Sequence, residues 1–237
     1  MSPEAAGGEG HPDHDEGSRS RYRLVFFDVD STLVTIEGID VLAGGNPAVA
    51  ALTAAAMNGT VPLDEVYGRR LEMIRPTRAA VGMLAARYLE SLVDGADATI
   101  ATLQGGGALV HLVTAGIEDA ILPLAARLNI PARAVHAVKL QFDAKGGFDG
   151  YDRRSFLTRP KGKELVVRDV RARTHGKAAF VGDGVSDLET RPAVDLFIGF
   201  GGVAIRTKVK ENADVFATSM RDVRRQLLEE PGTRSAD

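Results

Sequence analysis

The sequence predicts an α/β fold, a parallel sheet flanked by helices, with a small helical segment inserted after the first strand. Three observations predict it. Short apolar runs recur at 24–28, 108–113, 134–138, 178–183, 194–199 and 214–218. Helix-like stretches such as 117–128, 163–173 and 219–229 lie between them, and strands alternating with helices build parallel sheets. The interval between the first run and the second carries no strand signal, and a compact helical insert explains it better than one long loop.

Each element has its own warrant. Leu24-Val25-Phe26-Phe27-Asp28 is a continuous apolar run ending in an acid, the pattern of a buried strand. Inside the insert, Asn46-Pro47 reads as an N-cap followed by proline at the first helical position, and Asn58-Gly59 ends that helix. Residues 63–74 are amphipathic, with Leu63, Val66, Tyr67, Leu71 and Ile74 on one face. Pro76-Thr77 restarts a helix to about Leu92, and Gly105–Gly107 lead back to the sheet. The expected organisation is a tail at 1–20, a core from 21–36 and 96–237, and an insert at 37–95.

Composition narrows the chemistry. The chain has 237 residues and no Cys, which excludes disulfides, Cys-ligated zinc, iron–sulfur clusters and thiol catalysis. Net charge is −3, but residues 1–20 hold five acids against one base, so the remaining 217 residues carry +1. A near-neutral body gives no electrostatic case for nucleic acid or an anionic membrane. Residues 1–20 contain no Leu, Ile, Val or Phe and read as a disordered acidic tail; His11, Asp13, His14, Asp15 and Glu16 are metal-ligating types but read as solvated groups in it. The tail has neither the apolar stretch of a secretory signal nor the Arg-rich, acid-poor character of a transit peptide, so the cytoplasm is the expected compartment.

Four segments carry the chemistry. Strand one ends in Asp28-Val29-Asp30; in extended chain, residues i and i+2 face the same way, so both carboxylates project from the carboxyl edge, where open α/β sheets bind ligands. Gly182-Asp183-Gly184 follows a second apolar run, with Asp187 near a helix start. All-oxygen ligands of this kind suit Mg²⁺. Lys161 stands at the start of a helix in Arg159-Pro160-Lys161-Gly162-Lys163. Thr114-Ala115-Gly116 closes a strand with a hydroxyl and a small-residue turn, which offers N–H groups to a phosphate.

In this order the four segments resemble the haloacid dehalogenase-type phosphatases and, within them, the phosphoserine phosphatase branch. The likeness rests on DVDSTL (28–33), EGID (37–40), MNGTVPL (57–63), RLEMIRP (70–76), LNIPA (128–132), PKGKE (160–164), GDGVSD (182–187) and FIGFGG (197–202), and spans about residues 22–225. It implies a Rossmann-like core with a helical cap. It also implies Mg²⁺-dependent hydrolysis of O-phospho-L-serine, the last step of serine synthesis.

The resemblance assigns roles residue by residue. Asp28 is the nucleophile and Asp30 the general acid and base. The metal takes the Asp28 carboxylate, the Asp30 main-chain carbonyl and Asp183, with Asp187 acting through a water or through the lysine. The family's lysine is the first of Lys-Gly-Lys, hence Lys161, in catalysis and in holding the phosphate. Lys163 then reads as a solvated surface lysine, because two residues apart on a helix point about 200° apart. Glu37 would hold the substrate ammonium and Arg70 its carboxylate. Met57, Thr114, Ala115, Gly116 and Arg206 also match branch positions near the ligand. One departure is clear: relatives usually carry serine-glycine-glycine where this chain has Thr114-Ala115-Gly116, so Ala115 adds a methyl beside the substrate.

Two rival functions differ in class. One is a related phosphatase, or a phosphotransferase acting on another small phosphomonoester such as phosphohomoserine. The other is a non-enzymatic phospho-acceptor signalling domain, which ranks low because such a domain needs only about 120 residues and no cap. The sequence leaves a homodimer open.

Overall fold

The computed structural model describes residues 19–228. The acidic segment therefore lies outside the described residues up to position 18, as do residues 229–237. Among the described residues, six parallel strands form one sheet in the order β3-β2-β1-β6-β7-β8. They are β1 (Leu24–Phe27), β2 (Leu109–Ile117), β3 (Val135–Val138), β6 (Ala178–Gly182), β7 (Leu196–Phe200) and β8 (Val215–Ala217). Each apolar run read from the sequence supplies one strand. β1 is buried along its whole length and β6 likewise, as strands covered by helices on both faces must be.

Strand order reverses at β1. From it the chain builds outward through β2 and β3 on one side and through β6, β7 and β8 on the other. The crevice beyond the carboxyl ends of β1 and its two neighbours is the topological switch point, where open sheets of this kind bind ligands.

Between β1 and β2 lie α1 (Gly38–Leu42), α2 (Pro47–Met57), α3 (Leu63–Ile74), α4 (Arg78–Glu90) and α5 (Ala96–Gly105). Asn46 caps α2 by accepting from Ala48 N at 3.0 Å, with Pro47 first in the helix. Thr77 caps α4 by accepting from Ala80 N at 3.1 Å. The insert leaves and re-enters the core through paired chain: Val34 bridges Leu92, and Val93 N donates to Leu33 O at 2.9 Å. α6 (Glu118–Arg127), α7 (Gly162–Arg173) and α10 (Met220–Leu227) match the three helix-like stretches of the core, and α4 packs along α6.

Two local expectations change. The strand expected to end at 113 runs on to Ile117, with an irregular register between Val113 and Ile117, so Thr114-Ala115-Gly116 lie in the strand's distorted end and not in a turn. After β3 the chain forms an antiparallel hairpin, β4 (Leu140–Phe142) with β5 (Phe148–Tyr151), that the sequence reading did not contain. No helix among the described residues is long and apolar enough to cross a membrane.

Candidate active site

The switch-point crevice has a floor made by the strand ends and a roof made by the insert. On the floor, Asp28 follows β1 and Asp183 follows β6, two strands paired in register up to Phe27 and Val181. α8 (Val185–Leu188) then carries Asp187 back over the strand end. Asp28, Asp183 and Asp187 are buried, and each offers an oxygen within 4.8 Å of the others.

The floor lysine is Lys163, not Lys161, which corrects the sequence reading. Lys163 Nζ lies 2.6 Å from Asp187 Oδ1 and 2.8 Å from Asp28 Oδ1, and the residue is 5% exposed. Lys161 is exposed; it caps α7 in the left-handed conformation (φ 58) and engages Glu189 only through its backbone N–H. The reason is Gly162. A Cβ there would stand 1.9 Å from Phe156 O, so the helix starts with Gly162 wedged against the preceding 3₁₀ turn. That contact turns Lys163 inward and leaves Lys161 outside.

The other floor carboxylates are also engaged. Asp187 Oδ2 accepts from Gly184 N at 2.8 Å. Asp183 accepts from Thr32 Oγ1 at 3.2 Å and from Arg206 Nε at 3.0 Å. Arg206 also approaches Glu37 Oε1 at 3.5 Å and so bridges floor and roof. Burial and the charge of Asp28 push Asp187 and Asp183 well above the usual carboxylate range. Burial opposes the charged form of Lys163, but Asp187 and Asp28 outweigh it and hold the ammonium charged. Asp187 stays high despite this partner because one ammonium does not offset both burial and a second carboxylate.

This donor set fits a hard divalent cation: three buried carboxylates, all oxygen, in need of more positive charge than one lysine supplies. Two unit charges about 4 Å apart repel by about 4 kcal/mol at an effective dielectric near 20, so such a cluster favours either protons or a metal.

The roof is less paired. Arg70, on α3 and 6% exposed, gives one hydrogen bond, from Nη1 to Thr53 Oγ1 at 3.3 Å; its buried Nε has no partner. Thr53 passes the contact on to Asp40 Oδ1 at 2.7 Å. Glu37 accepts from Ser31 Oγ at 2.6 Å, and burial, with Asp30 and Asp28 adding, pushes its carboxyl up to about 8. Ser31 reaches it from a left-handed backbone position (φ 52). Asp30 accepts at Oδ1 from Gly38 N at 3.0 Å and from Tyr88 Oη at 2.8 Å. Burial first, then Asp28, raises Asp30 to about 7.

Asp28, Asp30, Glu37, Met57, Arg70 and Lys163 line one pocket, together with Thr114, Ala115 and Gly116. Thr114 Oγ1 accepts from Gly116 N at 3.0 Å, and Ala115 O accepts from Tyr67 Oη at 2.9 Å. Sequence reasoning set Lys163 aside as a surface lysine, read Tyr67 only as part of the apolar face of residues 63–74, and did not single out Tyr88 or Thr53.

No protein-family model matches the chain. It is 37% identical over 209 residues to the phosphoserine phosphatase of Mus musculus, an alignment that covers 86% of this chain and 93% of that one. Phosphoserine phosphatase SerB2 of Mycobacterium tuberculosis is 35% identical over 199 residues, covering 81% of this chain and 46% of the relative. A substrate-bound phosphoserine phosphatase complex superposes with a TM-score of 0.74 at 22% identity, over 90% of this chain and 100% of that one, a likeness of fold.

Proposed function

This chain belongs to the phosphoserine phosphatase family, and we propose that it hydrolyses O-phospho-L-serine to L-serine and phosphate through an aspartyl phosphate on Asp28, with Mg²⁺ as cofactor. One observation carries the substrate: a buried Arg70 whose Nε lacks any partner faces the same pocket as the Asp28–Asp30 pair. A buried guanidinium without an anion is costly, and a substrate carboxylate offers the fork it lacks. Glu37, in the same pocket, is the carboxylate the substrate ammonium would meet, beside its contacts with Ser31 and Arg206.

The chemistry follows from the floor. The Asp28 carboxylate attacks phosphorus in line; the Asp28–phosphorus bond forms as the bond to the serine oxygen breaks. Asp30, held near neutrality at about 7, gives its proton to the departing oxygen. In the second step Asp30 takes a proton from the water that attacks the aspartyl phosphate. Lys163 keeps Asp28 oriented and adds positive charge beside the phosphoryl oxygens. Asp28, the Asp30 main-chain carbonyl and Asp183 would hold the metal, with Asp187 acting through Lys163. When bound, Mg²⁺ supplies the charge that lets a phosphate dianion approach these carboxylates.

The division into a core (21–36 and 96–237) and a cap (37–95) is part of this reading. It is supported by the paired chain at the base of the insert. Asp28→Asn tests the whole: turnover of phosphoserine should vanish while the circular dichroism spectrum is unchanged. Retention of more than about a tenth of wild-type turnover, or a covalent phosphate trapped on another residue, would remove Asp28 from the role.

A further inference from the structure

Tyr88 is wholly buried on α4, and its hydroxyl is aimed at one atom, Asp30 Oδ1, at 2.8 Å. Gly38 N donates to the same oxygen at 3.0 Å. The approach is possible only because residue 38 is glycine: a Cβ there would stand 2.0 Å from Tyr88 Oη. Asp30 Oδ2 points the other way, 3.4 Å from where a Cβ on Gly116 would be, toward the strand end that lines the pocket. Two donors converging on Oδ1 make that oxygen an acceptor, so a proton carried by Asp30 must reside on Oδ2.

We propose that Tyr88 is a positioning residue for the general acid: with the Gly38 N–H it fills Asp30 Oδ1 and thereby fixes the transferable proton on Oδ2, facing the leaving group. The inference rests on the assignment of Asp30 as general acid. As the phosphorus–oxygen bond breaks, its electron pair stays on the departing oxygen, which takes the Oδ2 proton; Asp30 is left as a carboxylate already solvated at Oδ1 by two protein donors. No reorganisation of Asp30 is then needed between protonated and ionised states. The device also links the elements: α4 packs along α6, so the acid is oriented from the base of the insert and not by its own loop alone.

Tyr88→Phe keeps the ring and removes only the donor. A hydrogen bond to an ionised group is at stake, so kcat/KM for phosphoserine should fall by about ten- to a hundredfold with KM nearly unchanged. p-Nitrophenyl phosphate has a leaving group that needs no proton, and its kcat/KM reports only steps up to release of that group; it should change by no more than about threefold. Its kcat should still fall, with a burst of p-nitrophenol, because the same Asp30 must deprotonate water in the second step. Gly38→Ala is the independent probe: the added methyl displaces the Tyr88 hydroxyl and should reproduce the split. Adding Tyr88→Phe to Asp30→Asn should cost nothing further. Equal losses on both esters, or full additivity with Asp30→Asn, would overturn the proposal and make Tyr88 a packing residue. If Asp30→Asn itself fails to discriminate the two esters, the general-acid reading falls with it, and the two failures are thereby told apart.

Discussion

On the floor of the pocket, Lys163 meets two carboxylates at 2.6 and 2.8 Å and Asp183 meets a guanidinium at 3.0 Å. On the roof, Arg70 meets one hydroxyl at 3.3 Å and leaves its Nε bare. Both regions bury charge, but the floor sets Lys163 and Asp183 against opposite charges, whereas the roof leaves Arg70 with a single hydroxyl. On the proposed function the floor serves a step common to any phosphate ester, and its charges hold one another in place. On the same reading the roof serves recognition, and a cation already satisfied by a protein carboxylate would have nothing left to offer a ligand.

Breaking the floor should have the largest effect. Lys163→Met removes the ammonium that lies between two buried carboxylates, which typically costs about 3–5 kcal/mol. Activity on phosphoserine and on p-nitrophenyl phosphate should fall together by at least about a hundredfold, with a lower melting temperature. Lys161→Met, at the exposed cap of α7, should stay within about 0.5 kcal/mol of wild type in stability and keep its activity. The reverse pattern would restore Lys161 to the site.

Breaking the roof should be selective. Truncating one partner of a desolvated charged pair costs about 2–5 kcal/mol, so Arg70→Ala should lower kcat/KM for phosphoserine by about 30- to several-thousand-fold. The aryl ester, which has no carboxylate for Arg70 to hold, should change far less. Equal losses on the two would make Arg70 a structural member of the insert and erase the distinction between roof and floor.

The smallest effect is on stability, and it sharpens the comparison. Asp30 and Asp183 hold protons in the folded, metal-free chain up to about pH 7. The unfolded chain releases them near 4. Their contribution is therefore fully present below pH 4 and is lost as pH rises to about 7. On the proposed function Mg²⁺ would take Asp183 in its ionised form and meet Asp30 only at its main-chain carbonyl, so the melting temperature gained on adding it should be larger at pH 8 than at pH 5.5. At a hundred times its dissociation constant the gain is about 2.7 kcal/mol. A gain independent of pH, or absent, would place the metal elsewhere.

Much of this was legible in residues whose role depends on local chain. Asp28 and Asp30 are two apart just beyond the end of β1, Asp30 at the start of a turn, and both line the crevice as the spacing predicts. The apolar runs marked all six strands of the parallel sheet, most clearly β1 and β6, which are buried along their whole length. What the sequence hid depends on contacts from distant chain. Lys161 and Lys163 are chemically alike, and what distinguishes them is the close approach of Gly162 to the Phe156 carbonyl, where a Cβ would not fit. Tyr67 and Tyr88 fall in helical, apolar-looking positions, and their hydroxyls gain meaning only when Ala115 and Asp30 are folded beneath them. The β4–β5 hairpin is too short for its alternation to stand out.

The position of β1 has a consequence for how the protein comes to exist. It lies between β2 and β6, which reach it from 85 and 154 residues further along. Parallel pairings at such separations form late, because the loop they close must be ordered first. During synthesis Asp28 emerges early, but its neighbours at 163, 183 and 187 do not exist until most of the chain has left the ribosome. Until then β1 has one open, apolar edge that any extended segment can pair with, and it is there that a nascent or truncated chain is most exposed to misassembly.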